Sequence, residues 1–372
     1  MAQVTELMRA LGLEYPVIQA PMAAPMSAPI TTPDLVAAVS SAGGLGSLGA
    51  AYMSPEAIRG AVVRVRELTD KPFAVNLFVP TPFEDDPQQI ESSGRLLEPY
   101  RRELGLEPTP SGPQPPYAEA FDEQLAVIIE ERVPVFSSTF GSLPATEAER
   151  LKENGTKVVG TATTVEEGER LQAEGVDAVV AQGAEAGGHR GTFLGDFGSS
   201  MVGTMALVPQ MVDALAVPVV ASGGIMDGRG IAAALCLGAQ AAQMGTAFLA
   251  CEESGAHPSY KAAVLEATED GTAITRAFSG RPARGIKNRL LLELAEHEEQ
   301  IAPYPLQNAL TQGIRAAARK QDRPEFMSLW AGQAARLARS TTAAEIVTSV
   351  AEEADLTLRR LAQPSRRDGA TA

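Results

Sequence analysis

The stretch Ala178-Val-Val-Ala-Gln-Gly-Ala-Glu-Ala-Gly-Gly-His-Arg-Gly191 decides how the rest of the chain is read. Its first five residues, Ala178–Gln182, have the length and apolar character of a buried strand. Before them, Val165–Glu174 has helical apolar spacing and ends at Gly175, where a left-handed cap is needed. After them, four glycines surround one histidine. Helix, strand and glycine-rich loop make one unit of a parallel sheet, and the alternation recurs along the chain.

Eight such runs can be placed, at Pro16–Gln19, Gly46–Gly49, Phe73–Phe78, Val133–Ser138, Lys157–Thr161, Ala178–Gln182, Val217–Ala221 and Ala242–Gly245. The spacing between them predicts helices over Pro33–Ala42, Pro55–Leu68, Glu119–Glu131, Ala145–Asn154, Val165–Glu174, Val208–Leu215 and Gly228–Leu237. Thr32-Pro33, Ser54-Pro55 and Thr164 supply the hydroxyls and prolines that start a first helical turn. Eight strands with interleaved helices predict an α/β fold, a (β/α)8 TIM barrel, over residues 1–251.

Two regions break the rhythm. Pro80 to Pro116 is rich in proline and acidic residues and reads as a long loop after the third strand, of the kind that forms lids. From residue 252 to 361 the pattern is mostly helical, with Ala256–Glu266, Ile286–Ala295, Leu306–Lys320 and Phe326–Ala338 as segments. A smaller helical second domain capping the C-terminal face is expected, the 80–116 excursion contributing, and residues 362–372 are expected to fray.

The 372 residues are 45% hydrophobic and 21% charged, ordinary for a globular protein. The formal net charge of -15 repels phosphate backbones and anionic lipid, so neither nucleic acid nor membrane is an expected partner. Cys236 and Cys251 lack the spacing of a disulfide framework or a zinc site, and no metal is expected. No cationic start with an apolar core opens the chain, and no run approaches 18 apolar residues. A cytoplasmic enzyme acting on a small molecule is the expectation; the sequence sets no oligomeric state.

Barrel enzymes place their chemistry just after the strands. Ala20-Pro21-Met22-Ala23 is small and stiff enough for a flat ring to lie against it, or is an ordinary turn. Asn76 offers a donor and an acceptor to a heterocycle edge. Ala221-Ser222-Gly223-Gly224-Ile225 and Gln243-Met244-Gly245-Thr246-Ala247-Phe248 form two adjacent glycine turns, which let main-chain N–H groups approach a phosphate. His189, in its glycine loop, is the candidate base, with a backbone-bonded structural histidine as the alternative. Arg190 either serves an anion or is a solvated loop residue.

These stretches, with Pro16-Val-Ile-Gln-Ala-Pro-Met22, Asn76-Leu-Phe78, Val135-Phe-Ser-Ser-Thr-Phe-Gly141, Phe278-Ser-Gly-Arg281, Tyr304-Pro-Leu-Gln-Asn308 and Leu329-Trp-Ala-Gly-Gln333, closely resemble nitronate monooxygenases, the family formerly named 2-nitropropane dioxygenase. The resemblance covers nearly the whole chain, and the last three motifs resemble its bacterial class. It implies non-covalent FMN, with Pro21 and Met22 along the flavin and Asn76 and Gln182 at the ring edge. Gly187, Gly188, Ser222, Gly223 and Gly224 would face the cofactor, and Gln243, Met244, Gly245 and Thr246 would form the phosphate turn.

By the same resemblance the reaction is oxidation of an alkyl nitronate, such as propionate 3-nitronate, by O2 through one-electron transfer to the flavin. It gives a carbonyl compound and nitrite, a detoxification of nitroalkanes, with His189 as base when the substrate is a neutral nitroalkane. Tyr117 and Tyr304 would line the substrate end, or are core tyrosines. The alternatives are an FMN-dependent NADH:quinone or enoyl-ACP reductase and, in another class, a barrel that binds flavin without catalysis.

Overall fold

The computed structural model describes residues 4–24, 29–84, 86–108 and 112–362. Eight parallel strands, β1 (Val17–Gln19), β2 (Gly46–Gly49), β3 (Phe73–Phe78), β4 (Val135–Thr139), β5 (Lys157–Ala162), β6 (Ala178–Gln182), β7 (Val219–Ser222) and β8 (Ala241–Met244), form one sheet. Its order runs β1-β8-β7-β6-β5-β4-β3-β2, and a parallel bridge between Ile18 and Leu45 joins the two ends into a barrel.

Strand alternation gives each face its own task. One set of side chains, including Val75, Leu77, Phe136, Val179, Val219 and Ala221, packs with helix residues such as Ile58, Ile128, Leu151 and Leu171. The other set points inward and changes character along the axis. At the N-terminal end Ile18, Ala74, Val135, Val159, Val180 and Val220 close over Leu7, Met8 and Leu11 of the short helix Glu6–Leu11. That helix is tied down by Gln240, whose Oε1 accepts from the Leu7 N–H at 2.8 Å and whose carbonyl accepts from the Thr5 hydroxyl at 3.0 Å. Toward the C-terminal end the same inward positions become Asn76, Ser137, Thr139, Thr161, Gln182, Ser222 and Gln243. The barrel is dry and plugged below, polar and open above.

A second apolar cluster sits over the open end and gathers Leu97, Tyr100, Leu249, Tyr260, Phe278, Leu290, Leu306, Ile314, Phe326 and Leu329. Several segments differ from the expectation. Within the proline-rich excursion lies a helix, Pro87–Glu103, started by the Asp86 side chain and packed against the helix Leu306–Lys320. Its buried Leu97 and Tyr100 pack there in spite of Pro99. Phe326–Ala338, expected as a helix, is extended between short turns. Ile286 donates to the Leu329 carbonyl, Ala331 donates to that of Arg284, and Trp330 bridges to Gly285, so pairing with a neighbouring strand overrides the local spacing. A further helix, Ala343–Ala362, packs on the helices Gly228–Cys236 and Pro33–Ser41 and buries Ile346, Val347 and Val350 in the barrel cluster. By packing it closes the helical ring of the barrel, although it lies within the 252–361 stretch expected to form the cap. Residues 363–372 of the expected frayed tail lie outside the described residues.

Close approach of backbones makes one position testable. A Cβ at Gly46 would stand 2.1 Å from the carbonyl oxygen of Val36, whereas one at Gly60, exposed on the helix Pro55–Leu68, would meet nothing within 4 Å. Gly46→Ala is expected to lower unfolding free energy by about 2–3 kcal/mol, and Gly60→Ala to raise it by about 0.5–1 kcal/mol. Urea unfolding midpoints of the two variants check both signs.

Candidate active site

The polar inner rim opens into a cleft of about 1130 Å³, counted out to its mouth. Of the residues singled out in the sequence, Pro21, Met22, Asn76, Gln182, Gly187, Gly188, His189, Ser222, Gly223, Gly224, Gln243, Gly245 and Thr246 line it. Met244 does not. It follows inward-facing Gln243 on β8, so alternation turns it outward into the barrel–helix cluster. Tyr117 packs against Phe83 with ring centroids 6.0 Å apart and joins the second cluster, away from the cleft wall. Tyr304 is close to the site without lining the cleft: its ring centroid is 6.4 Å from that of His189 and 5.9 Å from that of Phe140.

The loop after β6 is braced by its own polar groups. Gln182 donates to the His189 carbonyl at 3.0 Å and accepts from the Gly191 N–H at 2.8 Å, which leaves one amide hydrogen for the cleft. Arg190 is neither a ligand for an anion nor solvated. It is 6% exposed, and its guanidinium donates to the carbonyls of Gln182 and Ser200. Burial lowers its pKa to about 10, with the charges of Glu167 and Glu185 acting against that fall. Glu167, fully buried, holds the next stretch by accepting from Thr163, Phe193 and Leu194 N–H groups. The two-residue strand Gly188–His189 pairs antiparallel with Ala283–Ile286, which fixes the histidine from the other side.

His189 Nε2 lies 2.8 Å from the hydroxyl of Ser279, a residue that sequence reading placed in a motif but gave no role. That hydroxyl has a second partner, the Arg281 carbonyl at 3.1 Å. A hydroxyl has one proton to give. When it goes to the carbonyl, Nε2 carries hydrogen and Nδ1 is the basic atom. The ring is packed among Phe78, Phe140, Tyr304 and Trp330, with centroids 5.5–6.4 Å away. Burial, reinforced by the charges of Arg281 and Arg315, pushes its pKa down to about 3.

No Asp, Glu, Lys or Arg lines the cleft among the described residues. Anionic ligands would instead meet backbone: the N–H groups of Gly224 and Thr246 have no protein acceptor among the described residues, and Gly224 has φ +69°. A Cβ at Gly187 would stand 2.5 Å from the backbone of Ala331 and Gly332, so the Trp330–Ala334 segment sits directly on the glycine loop. Asn76 donates to the Ser137 carbonyl and hydroxyl at 3.1 and 3.0 Å, which leaves its carbonyl oxygen for a donor in the cleft. A flat, amide-edged ring system ending in a phosphate fits these donors and acceptors.

The nitronate monooxygenase family model matches residues 5–353. The chain belongs to the nitronate monooxygenase family. It is 42% identical over 359 residues to a probable nitronate monooxygenase of Staphylococcus saprophyticus, covering 96% of this chain and 99% of that one. Over 350 residues it is 44% identical to a Staphylococcus aureus protein of the same description, covering 92% and 95%. Among solved structures, the nitroalkane oxidase of Streptomyces ansochromogenes superposes with a TM-score of 0.87 at 39% identity, covering 96% and 100%. FabK from Thermotoga maritima does so at 0.75 and 32%, covering 96% and 98%. The protein is therefore an oxidoreductase of nitronates, and the family implies a flavin cofactor. No described helix is long and apolar enough to cross a membrane.

The sign of the His189 shift gives a titration test. Its folded pKa lies below the ordinary 6.5, so the unfolded chain takes up the proton first. This group's contribution to stability is complete above pH 6.5 and falls as pH drops toward 3. Nitrogen-15 NMR of the ring should show a neutral imidazole down to about pH 4; titration near 6.5 would show that the site is wetter than its aromatic packing indicates.

Proposed function

We propose that the protein oxidises alkyl nitronates, propionate 3-nitronate among them, with O2 to a carbonyl compound and nitrite, using non-covalent FMN. The supporting observation is the uncharged cleft with Gly224 and Thr246 N–H groups that have no protein acceptor among the described residues on one side and a half-buried His189, held neutral, on the other. In this reading Gly224 and Thr246 hold the phosphate, Asn76 and Gln182 meet the ring edge, and Pro21 and Met22 lie along its face. FMN, when bound, supplies the one-electron oxidant and the means of engaging O2. Charge accounts for the substrate preference. A nitronate arrives as an anion and needs no base, and a neutral imidazole neither repels it nor consumes a proton. Removing a proton from a neutral nitroalkane would place positive charge on His189, which burial and two nearby arginines oppose. His189 Nδ1 acts as base for such substrates only against that cost. Phe78, Phe140 and Trp330 keep water from the reacting carbon.

Anaerobic mixing of the yellow protein with a nitronate, and separately with NADH, tests the reading. Bleaching by the nitronate is expected. Bleaching by NADH alone would replace it with a reductase, and a colourless protein would remove every flavin reading. Replacing His189 with Asn is expected to lower turnover of neutral nitroalkanes by about 10²–10⁴-fold and of nitronates far less. Equal losses would make the histidine structural.

A further inference from the structure

Below the polar floor of the cleft, on the barrel axis, lies a second, internal cavity. Each of the eight strands lends it a wall residue, from Ile18 on β1 to Gln243 on β8, and Leu7 and Leu11 of the helix Glu6–Leu11 close it from beneath. Ten of its thirteen lining residues are aliphatic; the others are Ser47, Ser137 and Gln243. Ser137 and Gln243 also line the cleft above, so these two residues are the partition that the two spaces share.

Two small residues create the space. Inward positions of such a barrel are usually filled by bulky branched side chains. Val135, Val159, Val180 and Val220 do so here, whereas Ala74 on β3 and Ala178 on β6 stop at a methyl group. The room left is that of one molecule about the size of water. An unfilled void costs stability, because its lining loses contacts on one side. Water is a poor occupant of this one. It needs about two to four polar partners, and the Ser137 hydroxyl already accepts from Asn76 at 3.0 Å. A small apolar molecule needs no such partner and gains by leaving water.

We infer that this cavity is a holding site for O2, set beneath the cleft and communicating with it between Ser137 and Gln243. The inference rests on the O2-dependent reading of the cleft above and adds a second binding site to it. Cofactor and substrate enter through the mouth of the cleft, and a gas held below its floor is at hand while that mouth is occupied. The two spaces also sort their ligands by polarity. A nitronate is an anion and is kept out of an apolar void by the cost of desolvating its charge, whereas O2 is apolar and pays none.

Krypton, an apolar atom close to O2 in size, is the probe. Crystals of the yellow protein with its cofactor, held under krypton pressure, should show one anomalous peak among Leu7, Ala178 and Val220. Ala178→Val adds two methyl groups to the cavity and should abolish the peak. It should also lower kcat/KM for O2 about fourfold, the worth of burying one methylene-sized apolar group, with the loss carried by KM for O2. Anaerobic bleaching by the nitronate should keep its wild-type rate, since that step uses no O2. Ala74→Val fills the same space from another strand and serves where Ala178→Val does not fold; the krypton peak of the wild-type protein needs neither variant. No krypton peak, an ordered water that krypton does not displace, or an unchanged kcat/KM for O2 in a folded, filled variant would overturn the inference. Failure of the wild-type protein to take up O2 with a nitronate would instead overturn the functional reading beneath it.

Discussion

A buried guanidinium holds the site together. Arg190 belongs to the glycine loop after β6 and turns inward, so that its hydrogen bonds to the Gln182 and Ser200 carbonyls tie the start of the loop to its return. Glycines 183, 187, 188 and 191 give this loop the freedom to fit against ligand and cap, and freedom alone would leave it disordered. The cation removes that freedom. Glu167 performs the same task for the following residues, and the short pairing of Gly188–His189 with Ala283–Ile286 completes the clamp. His189 is therefore placed by three devices, and the cleft wall is braced where the chemistry is read.

Charge is divided between two regions. The cleft itself carries no ionised side chain among the described residues, and the end proposed for the phosphate offers main-chain N–H groups instead. Two cations that could bind a phosphate, Arg281 and Arg315, stand behind the aromatic wall. There they add to burial in lowering the pKa of His189, and the Nε of Arg315 is left without a partner. A chain with net charge of -15 gathers a local positive site without changing its acidic exterior, so an anionic substrate is attracted only once it is inside.

Much of this was legible in the sequence because the barrel strands are short apolar runs followed by glycine turns. Strand alternation, which those runs do not show, separates Gln243 from Met244: neighbours on a strand face opposite sides, so a phosphate turn cannot use both side chains. Other features were hidden for physical reasons. Pro99 masks the helix Pro87–Glu103, whose burial comes from a distant helix. Around Trp330, pairing with the Ala283–Ile286 strand overrides helical spacing. An arginine in a glycine loop looks solvated until the carbonyls around it are known. His189 and Arg315 are far apart in the chain, and no local pattern connects them.

Placement of the cofactor phosphate separates the two charge regions most directly. A crystal structure of the yellow protein, isolated with its cofactor, should put phosphate oxygens within about 3 Å of the Gly224 and Thr246 N–H groups, with Arg281 and Arg315 free of it. A phosphate held instead by those two arginines would contradict the division of charge on which the substrate preference is built.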